Sequence, residues 1–291
     1  MYIKQLADKI DEIIVNEVSF GNKLLYAMCV DKEGQEWGNA NRLADKLWLV
    51  GRAYAASPER RFTKKEKSPN DYHGDGTGLF FEKVASNIIQ IGERYDNFEL
   101  SVKRLQHLQF DGTEKDFTQL RNGILCVIEF NALLKIALQQ FDESYGAKHK
   151  NSEYKNHISF CSKFLHFHAP DNISIFDSFT EEGAKTLVEF RRQKPLTLEG
   201  VVIDKTVVKL FSVIYEKIQN YKPIYELVTN IKDDKERDWA ERYSSHCMRE
   251  YAIGCFIKEK IENSPKVSML RLVDSVCQRV KKTDKNRGTE K

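Results

Sequence analysis

The residues best placed to do chemistry lie between Phe160 and Asp177. Phe160, Phe164, Leu165 and Phe167 recur at the spacing of one buried helical face. Pro170, Asp171 and Asn172 have the composition of a turn, and the apolar run Ile173–Phe176 then ends on Asp177. Ser178 followed by Glu181 has the pattern of a capping box, so a new helix is expected to start there. Asp177 thus stands at a helix N-terminus, where the backbone N–H groups favour negative charge. A carboxylate fixed in such a place can stabilise positive charge developing on a substrate, and can orient or deprotonate an attacking water. The same placement suits a plain helix cap, a common use of aspartate.

The elements that must position this segment are helical. Leu6, Ile10, Ile13 and Ile14 repeat at helical spacing, which predicts a first helix over 2–17. Asn39 or Asn41 is the expected cap of a second helix, whose apolar face is Leu43, Leu47, Val50 and Tyr54. Ser57 and Pro58 end it, because a residue before proline is pushed out of the helical region. Further helices are expected over 79–95, from 113 or 116 to 145, and over 180–193, 205–229, 234–262 and 265–282. Residues 173–176 and 201–203 alone read as strand-like, and no internal repeat is present. The fold class is all-α. A boundary is expected near Asp111 and Gly112, giving an N-terminal helical subdomain over 1–112 and a helical domain over 113–291.

Composition bounds the function. The chain has 291 residues, of which 41% are hydrophobic and 31% charged, enough for a real core under a heavily charged surface. Its net charge is +3, which by itself does not indicate a nucleic-acid partner. The basic residues are clustered, however: Arg60, Arg61, Lys64 and Lys65 fall in a long irregular loop over 57–78, and Lys148, Lys150 and Lys155 follow one another later. Local clusters bind phosphates even on a nearly neutral protein, because the potential at contact range is local. The six cysteines form no Cys-x-x-Cys pair and the histidines no metal-binding pattern, so no metal or cofactor is expected. Cys126 and Cys161 fall within apolar helical patterns, as reduced core thiols do. No apolar run is long enough to cross a bilayer and no secretory leader is apparent, so the expected location is the cytoplasm, away from membranes.

The order helix, turn, short apolar run, Asp, helix over 159–181 resembles the core of the helix-hairpin-helix superfamily of DNA glycosylases. The resemblance covers about a tenth of the chain, and it implies that family's multi-helix orthogonal bundle. It also implies that Asp177 is the catalytic carboxylate and that double-stranded DNA with damaged or modified bases is the partner. The slot in which some members carry a nucleophilic lysine falls near Ile158 or Ser159, so the implied enzyme is monofunctional, using water and leaving an abasic site. The region 148–159 carries no glycine, so Lys148, Lys150 and Lys155 would replace the amide-mediated phosphate contact of the family hairpin. Arg52, Arg60, Arg61, Lys64, Lys65 and Lys163 are further candidates for the DNA backbone.

A base released from a duplex must first be swung out and held. Trp37, Tyr54 and Tyr72 are candidates to stack on it. Glu129 and Asn131 interrupt an apolar stretch, where burial without partners is costly. They suit either the edge of a flipped base or a bond to a neighbouring helix. The residues around Arg52 also resemble a bacterial family of little-described proteins, and a role in antiphage defence on modified cytosines is one expectation. Two alternatives stand beside this one. The first is a non-catalytic helical module that binds nucleic acid or protein. The second is an RNA-cleaving helical toxin, suggested by Arg242 and His246 on one helix.

Overall fold

A computed structural model describes residues 8–10, 12, 20–29, 39–53, 77–94, 105, 108–144, 156–189, 196–198, 201–260 and 268–286. These residues are mostly helical, and the single sheet among them has two strands. In chain order the helices are α1 (Phe20–Cys29), α2 (Ala40–Ala53), α3 (Thr77–Arg94), α4 (Glu114–Ser144), α5 (Ile158–His168) and α6 (Ser178–Val188). The strands β1 (Leu196–Leu198) and β2 (Val201–Ile203) follow, then α7 (Lys205–Gln219), α8 (Lys222–Thr229), α9 (Asp234–Lys260) and α10 (Met269–Asn286).

The chain divides into two compact units, each discontinuous in sequence. The first comprises Met1–Phe20, Leu105–Leu125 and Pro170–Lys291; the second comprises Gly21–Arg104 and Cys126–Ala169. No crossing falls at the expected boundary near residue 112, because Leu105–Leu125 runs through it within one unit. α4 continues from the first unit into the second. By length and composition α4 is also the one helix among the described residues able to span a bilayer, yet more than half of its most apolar window is buried in the protein.

In the second unit the expected cap of α2 is Asn39, whose Oδ1 accepts from the amides of Asn41 and Arg42, both at 3.1 Å. Phe80 and Phe141 meet edge to face, and Phe130 stacks on Phe164 at 5.1 Å between α4 and α5. Cys126 and Cys161 are buried thiols, as their patterns predict.

In the first unit α6 lies directly on α10. A Cβ added at Gly183 would come within 2.0 Å of the Cys277 carbonyl oxygen, so the two backbones touch where only glycine fits. α9 packs on α6, α7, α8 and α10 and carries the largest buried side chains, Tyr243 and Tyr251. The short sheet pairs Leu196 with Ile203 and Leu198 with Val201 in antiparallel register. The strand-like reading holds for Val201–Ile203. Ile173–Phe176 forms no strand among the described residues. The single helix expected over 205–229 is two helices: Asn220 caps the end of α7, and Pro223 starts α8 near its N-terminus, where the missing N–H is no loss.

Candidate active site around Asp177

Asp177 is the N-cap of α6, one residue earlier than the Ser178 and Glu181 pattern suggests. Its backbone is extended, and its Oδ1 accepts from the amides of Phe179 at 2.8 Å and Thr180 at 3.0 Å. The capping box is completed by Thr180, whose Oγ1 accepts from the Asp177 amide at 3.2 Å. Both cap bonds land on one oxygen, so the carboxylate is oriented by its own backbone while remaining half-buried. The preceding residues Ile173, Ile175 and Phe176 are fully buried, which anchors the segment that delivers it.

Phe176 packs edge-on against His246 at 5.3 Å, Tyr243 at 5.7 Å and Trp239 at 6.3 Å, all from α9. Outside this aromatic layer, Arg242 grips Glu181 with two hydrogen bonds of 3.1 and 2.6 Å and lies 4.4 Å over the Trp239 ring. Phe179, on the first turn of α6, is 47% exposed. The surface next to Asp177 therefore presents an aromatic ring, a held guanidinium and the acids Glu181 and Glu182.

Behind Asp177 is a buried polar layer that sequence reading missed. Glu250 and Asp274 are 0% exposed, and Arg271 pairs with Asp274. Glu250 Oε1 sits 3.4 Å from His246 Nε2, and neither of its oxygens makes a well-formed hydrogen bond. Burial pushes the Glu250 carboxyl well above its ordinary value, and nearby Asp274 pushes the same way against the Ser174 hydroxyl. Burial lowers the His246 imidazole to about 4, despite the opposing pull of the Ile175 carbonyl and the carboxylates of Glu181 and Asp177. The layer is thus an acid kept protonated beside an imidazole kept neutral. Its signal was present in the sequence: Tyr243, His246, Cys247 and Glu250 share one helical stripe, so Glu250 had to enter the core.

The other candidates separate clearly. Asn131 is buried, and its Oδ1 accepts from the His157 amide at 2.8 Å, so it holds the start of α5, the helix-bonding role of its two expected uses. Glu129 and Arg52 are exposed. Lys163 is 5% exposed and its Nζ donates to Ser159 Oγ at 3.3 Å, which removes it from the list of phosphate contacts. His166 is fully buried against the Tyr26 hydroxyl at 2.8 Å, and His168 is half-buried with Nδ1 at the Phe164 carbonyl. His246 is fully buried too, so the pairing of Arg242 with His246 expected of an RNA-cleaving toxin does not form at a surface. Trp37, Tyr54, Tyr72, Arg60, Arg61, Lys64, Lys65, Lys148, Lys150 and Lys155 lie outside the described residues. Among the described residues no three His, Cys, Asp or Glu side chains are placed to share a metal ion. No protein-family model, no curated protein and no solved structure matches the chain.

Proposed function

We propose that the protein is a monofunctional DNA glycosylase that hydrolyses the N-glycosidic bond of a damaged or modified base. The observation that carries this reading is the fixed carboxylate of Asp177 at the start of α6, directly after a fully buried run. As the bond to the base breaks, its electron pair leaves with the base and C1′ of the sugar becomes cationic. A carboxylate already oriented by two amides stabilises that charge without reorganising. It then accepts a proton from the water whose oxygen bonds to C1′, leaving an abasic site. Phe179 supplies an exposed ring beside the carboxylate for an extruded nucleotide, and the basic clusters in 57–67 and 148–155 supply phosphate contacts.

Asp177→Asn separates chemistry from capping, because asparagine is as good an N-cap as aspartate. Base release should fall on the order of 10²-fold or more in this variant. Its melting temperature should stay at the wild-type value, whereas Asp177→Ala should cost about 1 kcal/mol of stability. The assay is incubation with host DNA and with phage DNA carrying modified bases, followed by mass spectrometry of released bases and alkaline cleavage at abasic sites. Full base release by Asp177→Asn would remove the carboxylate from the mechanism.

The completeness of the cap favours a second reading, a non-catalytic helical module that binds nucleic acid or protein. Under it no DNA yields a free base, and Asp177→Ala changes stability alone.

A further inference from the structure

Among the described residues, the segment that delivers Asp177 belongs to no sheet. Two of its carbonyls are taken by side chains of α9: the Tyr243 hydroxyl donates to the Ser174 carbonyl at 3.2 Å, and His246 Nε2 donates to the Ile175 carbonyl at 2.8 Å. The single proton of the Thr180 hydroxyl is shared between the Asp177 carbonyl at 3.2 Å and the Ile175 carbonyl at 3.4 Å, and Thr180 Oγ1 in turn accepts from the Asp177 amide. One carbonyl thus links α9 to Thr180, the residue that completes the capping box on Asp177. Because a carbonyl can only accept, His246 must carry its proton on Nε2. Its Nδ1 is buried with no hydrogen-bond partner, so a second proton there would leave a buried donor and a buried charge unsatisfied. The charged and titratable groups around the ring are Glu250 on its own helix, Arg249 beside it, and Asp177 and Glu181 from α6.

We propose that His246 is the positioning residue for Asp177: in its neutral Nε2–H form it holds the Ile175 carbonyl, and through Thr180 it fixes the direction of the carboxylate. This rests on the reading of Asp177 as the group that faces the sugar. A buried histidine that merely filled space would be indifferent to which nitrogen carries the proton. This one is not.

The test is nuclear magnetic resonance of the whole chain with ¹⁵N-labelled histidine, with Gln and Asn substituted at 246. Glutamine places an amide N–H near the position of Nε2, whereas asparagine falls short of the carbonyl. The wild-type ring should show a protonated Nε2 and a bare Nδ1 at neutral pH. In His246→Asn the Phe179 and Thr180 amides should exchange about tenfold faster, with α7 unchanged, and His246→Gln should restore the wild-type rate. On a susceptible DNA, kcat should fall in His246→Asn with KM unchanged. A proton on Nδ1 in the wild type, or unaltered Phe179 and Thr180 exchange in His246→Asn, would overturn the proposal. Failure of the wild type to release any base would instead retire the glycosylase reading, and the exchange rates would still decide whether His246 holds the Asp177 cap.

Discussion

Gly183→Ala is expected to lower the melting temperature by roughly 5–10 °C, because the methyl it adds has nowhere to go. The new Cβ would lie 2.0 Å from the Cys277 carbonyl oxygen, 2.6 Å from its carbon and 2.9 Å from its Cα. All three are backbone atoms of α10, so no rotamer change relieves the clash. Alanine is the better helix former by about 1 kcal/mol, which works in the opposite direction. Overpacking costs roughly 1–3 kcal/mol or more, and the steric term wins here because the overlap is with main chain. The relief available is for α6 to move off α10, and α6 is the helix that Asp177 caps, so base release should fall with stability. Gly92→Ala is the control: its Cβ would meet nothing within 4 Å, and that variant should be neutral or slightly more stable. Calorimetric melting of both variants checks the pair; a Gly183→Ala protein as stable as wild type would contradict the backbone contact.

Glu250→Gln should make the protein more stable above neutral pH while changing little near pH 5. The Glu250 carboxyl is raised from its ordinary 4.5, chiefly by burial, so the folded state keeps a proton that the unfolded chain gives up. Stability is then fully present below about 4.5 and is lost as pH climbs toward the raised folded value, by up to about 1.4 kcal/mol per pH unit. Glutamine has the same shape with no proton to lose, so this decline should vanish. His246 sets the opposite limb. Its imidazole is lowered from 6.5 to about 4, so stability is present above 6.5 and lost as the unfolded chain takes up protons at lower pH. Across that window the loss is roughly 3 kcal/mol. Urea titrations at about pH 5 and about pH 8 separate the two limbs; parallel curves for wild type and Glu250→Gln would show that Glu250 ionises freely when buried.

The helical class and most helices were legible because amphipathic repeats long enough to bury a face leave a strong period in the sequence. Asp177 at a helix start was legible for the same reason, as an apolar run meeting capping residues. The break between α7 and α8 was hidden by apolar periodicity that continues across it, although Pro223 marks the place. β1 was missed because Leu196–Leu198 is too short to show alternation. The polar layer under Asp177 was harder to find, since it joins Ser174, His246, Glu250 and Asp274 from three separate stretches of chain. Glu250 is a polar break in an apolar stripe just as Glu129 and Asn131 are. Glu129 is exposed and Asn131 buried, because residues two apart stand about 200° apart around a helix and so face opposite sides of the stripe.

The interleaving of the two units has a consequence for biosynthesis. Every stretch that builds the second unit has been translated once Ala169 is made, whereas the first unit needs α6 to α10, which come later. On the ribosome the second unit can therefore consolidate while Leu105–Leu125, already made, still lacks its companions. That stretch includes Phe117, Leu120 and Ile124, which are buried in the finished protein, so the nascent chain carries a sticky apolar strip until Pro170–Lys291 emerges. No single cut would release either unit whole, and a chaperone that shields this strip would act on the half-made chain rather than on the mature one.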